Sequence, residues 1–93
     1  MATLLMKDGK EKEISLSYGD LLKLEKENPS LAEEYFTIQN QTSLSEIDVI
    51  KVLRIAYIST TNEYIKLEEF CDLILNNRAN SMITYNELIY PKN

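Results

Sequence analysis

The sequence predicts a mainly α protein of the α+β class, in which an N-terminal β-hairpin precedes four to five short helices packed as a small bundle. Two short runs around an Asp-Gly pair predict the hairpin, and repeated capping residues before apolar segments predict the helices. The 93 residues include only two glycines and two prolines, which leaves little room for a linker. We therefore expect one domain over residues 1–93, with the hairpin in 1–16 and the helices in 17–93.

The register of the hairpin follows from which side chains must share a face. A two-residue loop at Asp8-Gly9 would pair Met6 with Glu11 and mix apolar and charged side chains. A three-residue loop, Lys7–Gly9, instead pairs Met6 with Lys10 and predicts a left-handed glycine. It places on one face Ala2, Leu4, Met6, Ile14 and Leu16. We predict the three-residue loop, and we expect its apolar face to lie on helices or to pair with another chain.

Capping signals divide the rest of the chain into helical segments. Ser17, Ser30 and Ser43 each precede an acidic residue by three positions, and we expect them to cap the first three helices. A fourth helix, with its start between residues 62 and 66, carries LEEFCDLIL. Residues 82–90 fit either a strand or a helix; we favour a helix because the hairpin is the only evident partner for a strand.

The residue types present argue against catalytic and metal chemistry. The chain has no histidine, which removes Ser-His-Asp and Cys-His arrangements and the commonest nitrogen ligand of zinc. Cys71, the only cysteine, falls on the apolar face of its predicted helix and is expected to be a core residue. A segment that resembles a calcium loop has Ile58 at its first ligand position and Glu63 where a glycine is needed. We expect no enzymatic activity, no cofactor and no metal site.

The net charge and the length of the longest apolar run indicate which partners and which cellular compartment to expect. The formal net charge of −5 disfavours binding to nucleic acid, which requires a basic patch. Ile55–Ile58, the longest apolar run, is far shorter than the roughly 20 residues that span a bilayer. A single cysteine fits a reducing compartment. We expect a cytoplasmic protein that contacts neither nucleic acid nor membrane.

The segment EIDVIKVLRIAYIST, residues 46–60, carries apolar side chains on nearly every side of a helix. Val49, Val52 and Leu53 mark the natural core side. On the other side, four residues follow i, i+4, i+7 and i+11 spacing and therefore form one stripe along the helix. One more isoleucine lies beside this stripe. These candidate protein-interaction residues are Ile47, Lys51, Arg54, Ile55 and Ile58. Either the hairpin or the last helix covers them, or another chain does; we favour another chain, because so small a domain has little else to cover three more isoleucines.

Residues 14–75 resemble the small tail assembly chaperones of long-tailed bacteriophages of Gram-positive hosts. The resemblance lies in the order of short N-terminal strands, SYGDLLKLEKE, a mid-chain helix carrying VIKVLRIAYI, and EEFCDLIL. It implies a homo-oligomeric protein of the host cytoplasm that binds the helical tape measure protein and aids assembly of the tail tube protein around it. The alternative is a small acidic helical regulator or inhibitor, such as an antitoxin-like or phage anti-host factor, that binds one defined protein partner.

Overall fold

The computed structural model describes residues 1–91, and in it a hairpin precedes a group of helices, as predicted. Within these residues the strands are β1 (Ala2–Leu5) and β2 (Glu11–Ile14), and the helices are α1 (Tyr18–Glu27), α2 (Pro29–Gln39), α3 (Glu46–Thr61), α4 (Leu67–Leu73) and α5 (Arg78–Ile89). The predicted mainly α, α+β class is confirmed. Lys92 and Asn93, which the predicted domain includes, lie outside the described residues.

The hairpin has the predicted register. Ala2 lies opposite Ile14, Leu4 lies opposite Lys12, and the Met6 N–H donates to the carbonyl of Lys10 at 2.8 Å. The loop glycine, Gly9, has a φ of +90°, the left-handed conformation that the three-residue loop requires. The apolar face of the hairpin is buried against helices of the same chain, since β1 packs on α5 and β2 contacts α3.

A short extended segment pairs with the second edge of β1. The Lys7 N–H donates to the carbonyl of Leu73 at 2.9 Å, and the Leu75 N–H donates to the carbonyl of Leu5 at 3.0 Å. Met6 and Ile74 form an antiparallel bridge between these two bonds. The prediction that the fourth helix continues to residue 75 is therefore wrong. Helix α4 ends at Leu73 because the backbone groups of the next residues bond to the hairpin.

The N-terminus of α1 has the predicted cap, and that of α2 does not. The Asp20 N–H donates to the Ser17 hydroxyl at 3.2 Å, and the Ser17 N–H donates to Asp20 Oδ2 at 2.9 Å, a reciprocal capping box. Helix α2 begins at Pro29, two residues earlier than the Leu31 start that a Ser30 cap predicts, so Ser30 lies inside the helix. Proline suits this first helical position because its φ is fixed near the helical value and its missing N–H needs no partner there.

Helix α3 is capped by Ser45, two residues after the predicted Ser43. The Ser45 N–H donates to Asp48 Oδ2 and the Asp48 N–H donates to the Ser45 hydroxyl, each at 3.0 Å. Both serines precede an acidic residue by three positions, so the spacing alone does not distinguish them. The observed box leaves the Glu46 carboxylate free to pair with Arg78.

Helix α3 is the centre of the molecule. It contacts α1, α2, α4, α5 and β2, and it buries side chains on all of its sides. Apolar side chains from the hairpin and from the other helices complete one core around it. A helix that is apolar on nearly every side is buried, and here the covering elements belong to the same chain.

The last segment is helical, as favoured, but longer than the sequence indicated. Helix α5 begins at Arg78, where the Asn77 side chain caps it by accepting from the Asn80 N–H at 3.0 Å. The break between α4 and α5 is correspondingly short. No helix within residues 1–91 has both the length and the apolar content needed to cross a membrane.

Candidate interaction surface

The five candidate interaction residues do not form one exposed surface. Ile55 is 0% exposed, and Ile58 and Arg54 are each 6% exposed, so all three are buried in the protein's own interior. Lys51 is half-buried, and Ile47, at 56% exposed, is the one member of the set that faces solvent. The expectation that another chain covers this side of α3 is wrong for the three buried residues.

The physical reason is the arrangement of elements around α3. Besides the hairpin and the last helix, the two covers expected within the chain, α1, α2 and α4 also pack on α3. Five surrounding elements can cover the whole circumference of one helix. The alternative that this side is covered within the chain is the one that the structure supports.

Arg54 has an internal role instead of a surface one. Its Nε donates to the carbonyl of Ile65 at 2.7 Å, and its guanidinium carbon lies 5.3 Å from the centre of the Tyr64 ring. A guanidinium nitrogen also lies 4.0 Å from the Glu34 carboxylate. These contacts attach the irregular connector between α3 and α4 to the core, which accounts for a charged side chain at a buried position.

The segment that resembles a calcium loop does not form one. Ile58, at the first ligand position, lies within α3 and is buried, so its backbone is part of a helix instead of a loop. In residues 1–91, histidine, cysteine, aspartate and glutamate form no group of three or more that could hold a metal ion.

A small cavity of about 160 Å³ lies between the C-terminal ends of α1 and α3. Lys23, Glu27 and Asn62 contribute polar groups to it, over the apolar side chains of Leu24 and Ile58. The hydroxyl of nearby Ser59 has no hydrogen-bond partner among the described residues, but less than 1 Å² of that oxygen is accessible. The hydroxyl is therefore sealed from the cavity and cannot meet a molecule placed there.

An exposed stripe that carries large apolar side chains lies on α5. Its buried side consists of Ser81, Thr84, Tyr85 and Leu88. The opposite side follows i, i+3, i+4 and i+7 spacing, which is one continuous face of a helix, and Tyr90, the residue after the helix, lines the same groove as Ile83 and Asn86. We call this face the α5 surface; its members are Ala79, Met82, Ile83, Asn86 and Tyr90. Ile83 is 57% exposed and Tyr90 is 73% exposed, so large apolar groups face solvent here.

Shallow grooves adjoin both ends of the α5 surface. At its C-terminal end, Met1, Ile83, Tyr90 and Pro91 line a groove of about 580 Å³. At its N-terminal end, a groove of about 360 Å³ lies between Met82 and the start of α3. Exposed apolar side chains thus extend beyond α5 itself onto neighbouring parts of the chain.

An ion pair joins α3 and α5 beside the N-terminal groove. Arg78 Nε donates to Glu46 Oε1 at 3.0 Å, and Arg78 Nη2 donates to Glu46 Oε2 at 2.9 Å. Hydrogen bonds from the guanidinium lower the pKa of the Glu46 carboxyl, and the carboxylate raises the pKa of Arg78. Both groups are exposed, so the pair orients the two helix starts and adds little to stability.

Comparisons of the chain with protein families, with curated proteins and with solved structures found no match.

The α5 surface is not among the interaction residues predicted from the sequence, although its spacing is present there. Ala79, Met82, Ile83, Asn86 and Tyr90 have helical spacing, but they can be placed on one face only after residues 78–89 are assigned to a helix. That assignment was ambiguous and began four residues too late. Apolar residues also occur on both sides of α5, which obscures its exposed face.

Proposed function

We propose that the protein is a non-enzymatic interaction protein that binds an amphipathic helix of a partner protein through the α5 surface. The observation that carries this proposal is the exposure of Met82 and Ile83 along one face of α5 and of Tyr90 directly after it. Contiguous exposed apolar area is typical of interaction sites, and helix-in-groove binding uses residues at this spacing. The flexible Met82 side chain can adapt to partner helices of differing shape.

Together with the resemblance described above, this surface favours the role of a tail assembly chaperone. The partner is then the tape measure protein, whose long helices expose apolar stripes before the tail tube protein surrounds them. Covering such a stripe removes apolar area from water at about 25 cal/mol per Å², and so opposes aggregation of the tape measure protein. Homo-oligomerisation and residence in the host cytoplasm belong to the same proposal.

The mechanism requires no reacting group. Partner helices would exchange on and off the α5 surface, and the net charge of −5 would keep the complexes dispersed through mutual repulsion. Burial of the apolar face would provide the affinity. Because one helix can bury only a modest area, the affinity would be low enough for the partner helix to dissociate.

Co-purification tests this proposal. A tagged form of this chain is co-expressed with the tape measure protein encoded by the same genome, and the eluate is examined by light scattering. We expect a complex with several copies of this chain on each tape measure protein. No complex would contradict the proposal. A complex of fixed one-to-one stoichiometry with some other single protein would favour the regulator alternative.

A further inference from the structure

Two polar side chains lie in the groove at the C-terminal end of the α5 surface, which we call the C-terminal groove. Its apolar walls, described above, include Ile83 and Tyr90. The polar side chains that line it are Asn86 and Glu87. Both are exposed, so a molecule in the groove can reach them. The groove therefore presents a carboxylate and an amide beside apolar side chains.

The Glu87 carboxylate is only partly engaged within the described residues. Its Oε1 accepts a hydrogen bond from the Thr3 N–H at 3.3 Å. In residues 1–91, its Oε2 has no hydrogen-bond partner and no cationic nitrogen lies within 4.0 Å of either oxygen; the ion pairs that these residues form join other groups. One bond thus holds a carboxylate that can still accept a charge-assisted hydrogen bond from a cation outside the chain.

The position of this carboxylate on α5 adds to the negative charge of the groove. The helix macrodipole places partial negative charge at a C-terminus, where lysine and arginine are favourable. The last turn of α5 has no basic residue and instead contains Glu87. The one basic residue of this helix, Arg78, lies at its other end and pairs with Glu46. The C-terminal groove is therefore negatively charged and has no counterion among the described residues.

We infer that the C-terminal groove binds a lysine or arginine side chain of the partner helix. Such a side chain has a long apolar stem, which would cover Ile83 and Tyr90. Its charged head would donate to Glu87 Oε2 and to the oxygen of the Asn86 amide. The exposed Tyr90 ring also offers an aromatic face to the cation. The inference rests on the proposed function and adds to it that the partner helix has a basic residue beside its apolar stripe.

This contact would distinguish among apolar helices. The α5 surface has no charged member, so its apolar contacts alone would accept any helix of suitable shape. A carboxylate in the groove favours a partner with a cation at that place and repels one with an acidic residue there. The net charge of −5 acts in the same direction at longer range. The Glu87 carboxylate is thus a specificity-determining group.

Peptide binding tests this inference. Overlapping peptides from the tape measure protein encoded by the same genome are screened for binding to the full chain, and the tightest binder becomes the probe. The affinity of the probe is then measured for wild type, Glu87→Gln and Glu25→Gln. Glutamine at position 87 retains an acceptor for the Thr3 N–H and removes only the charge. Glu25, exposed on α1, is the matched control for the change in net charge.

We expect Glu87→Gln to bind the probe roughly fivefold more weakly than Glu25→Gln does, and we expect the difference to shrink as added salt screens the pair. One lysine or arginine of the probe, changed to glutamine, should cause the same loss with wild type and no further loss with Glu87→Gln. Equal affinities of the two variants, or a probe without lysine or arginine, would overturn this inference and leave the proposed function standing. If no peptide binds wild type, the proposed function fails and this inference fails with it.

Discussion

Arg54 donates a hydrogen bond from Nε to the backbone carbonyl of Ile65, 2.7 Å away, and thereby connects the central helix α3 to the irregular segment that follows it. Residues 62–66 form no helix or strand, so they depend on such contacts for their position. The same side chain also lies over the Tyr64 ring. A charged residue that the sequence placed on an interaction surface is therefore part of the internal framework.

Replacing this side chain should loosen the connector. We expect Arg54→Met to lower the free energy of unfolding by about 1.5–3 kcal/mol, the range for a hydrogen bond to a charged group. Urea unfolding gives this value, and hydrogen exchange should report faster exchange in residues 62–66. Lys51→Met, one turn away at a half-buried position, is the control and should change stability by less than about 0.5 kcal/mol. Equal effects of the two substitutions would contradict the role assigned to Arg54.

Glutamate substitutions on α3 should separate the core from the surface. Ile55→Glu places a charge at a fully buried position and should abolish folding, since an unpaired buried charge costs several kcal/mol. Ile47→Glu, on the same helix at an exposed position, should leave the protein folded. Circular dichroism and light scattering distinguish these outcomes. An Ile55→Glu variant that stays folded and loses only self-association would restore the interaction role first predicted for this side of α3.

The two glycines should respond in opposite directions to alanine. Gly9 has a φ of +90° and open space where a Cβ would lie, so Gly9→Ala should cost about 1 kcal/mol of backbone strain alone. Gly19 lies in the first turn of α1, and an added Cβ would meet the Ser17 hydroxyl at an ordinary 3.7 Å. Gly19→Ala should therefore stabilise the protein by up to about 1 kcal/mol. Thermal unfolding measures both; a neutral Gly9→Ala would mean that the loop adopts another conformation.

The cap of α1 should make stability depend on acidic pH. Burial acts to raise the pKa of Asp20, but hydrogen bonds from the Ser17 N–H and from the hydroxyls of Ser15 and Ser17 outweigh it, and the pKa lies below its ordinary value of 3.8. A lowered pKa in the folded state means that Asp20 contributes stability above pH 3.8, and that this contribution is lost as the pH falls through the folded-state value. In the Asp20→Asn variant, the free energy of unfolding should depend less on pH between pH 2 and 5, as measured by urea unfolding at several pH values. An unchanged slope would show that Asp20 is not the group responsible.

Local sequence signals predicted the hairpin and the helices well because each depends on a few neighbouring residues. The Lys7–Gly9 loop and the Ser17 cap follow from turn and capping chemistry alone. The sequence could not predict the end of α4 at Leu73, since Ile74 leaves the helix to pair with Met6, 68 residues away in the chain. The spacing to an acidic residue is the same for Ser43 and Ser45, and the sequence does not show that Glu46 pairs with Arg78 while Ser45 caps α3.

The exposed apolar face of α5 could not be located from spacing because helical periodicity does not tell which side of a helix its own chain covers. Helix α3 is apolar on nearly every side and is enclosed, whereas α5 is also apolar on two sides and is covered on one. Which of the two retains an exposed apolar face depends on how many elements pack on each, and that is a property of the whole fold.

If the α5 surface binds a helical partner, as proposed, a matched pair of glutamate substitutions should abolish binding at one site and leave it intact at the other. Ile83 on α5 and Leu22 on α1 are exposed apolar residues, 57% and 65% accessible. Each is changed to glutamate, and the soluble fraction of the co-expressed tape measure protein is measured. Wild type and Leu22→Glu should keep it soluble, whereas Ile83→Glu should not, because a carboxylate buried against an apolar helix costs several kcal/mol. Equal retention by Ile83→Glu and wild type, or no retention by wild type, would contradict the claim.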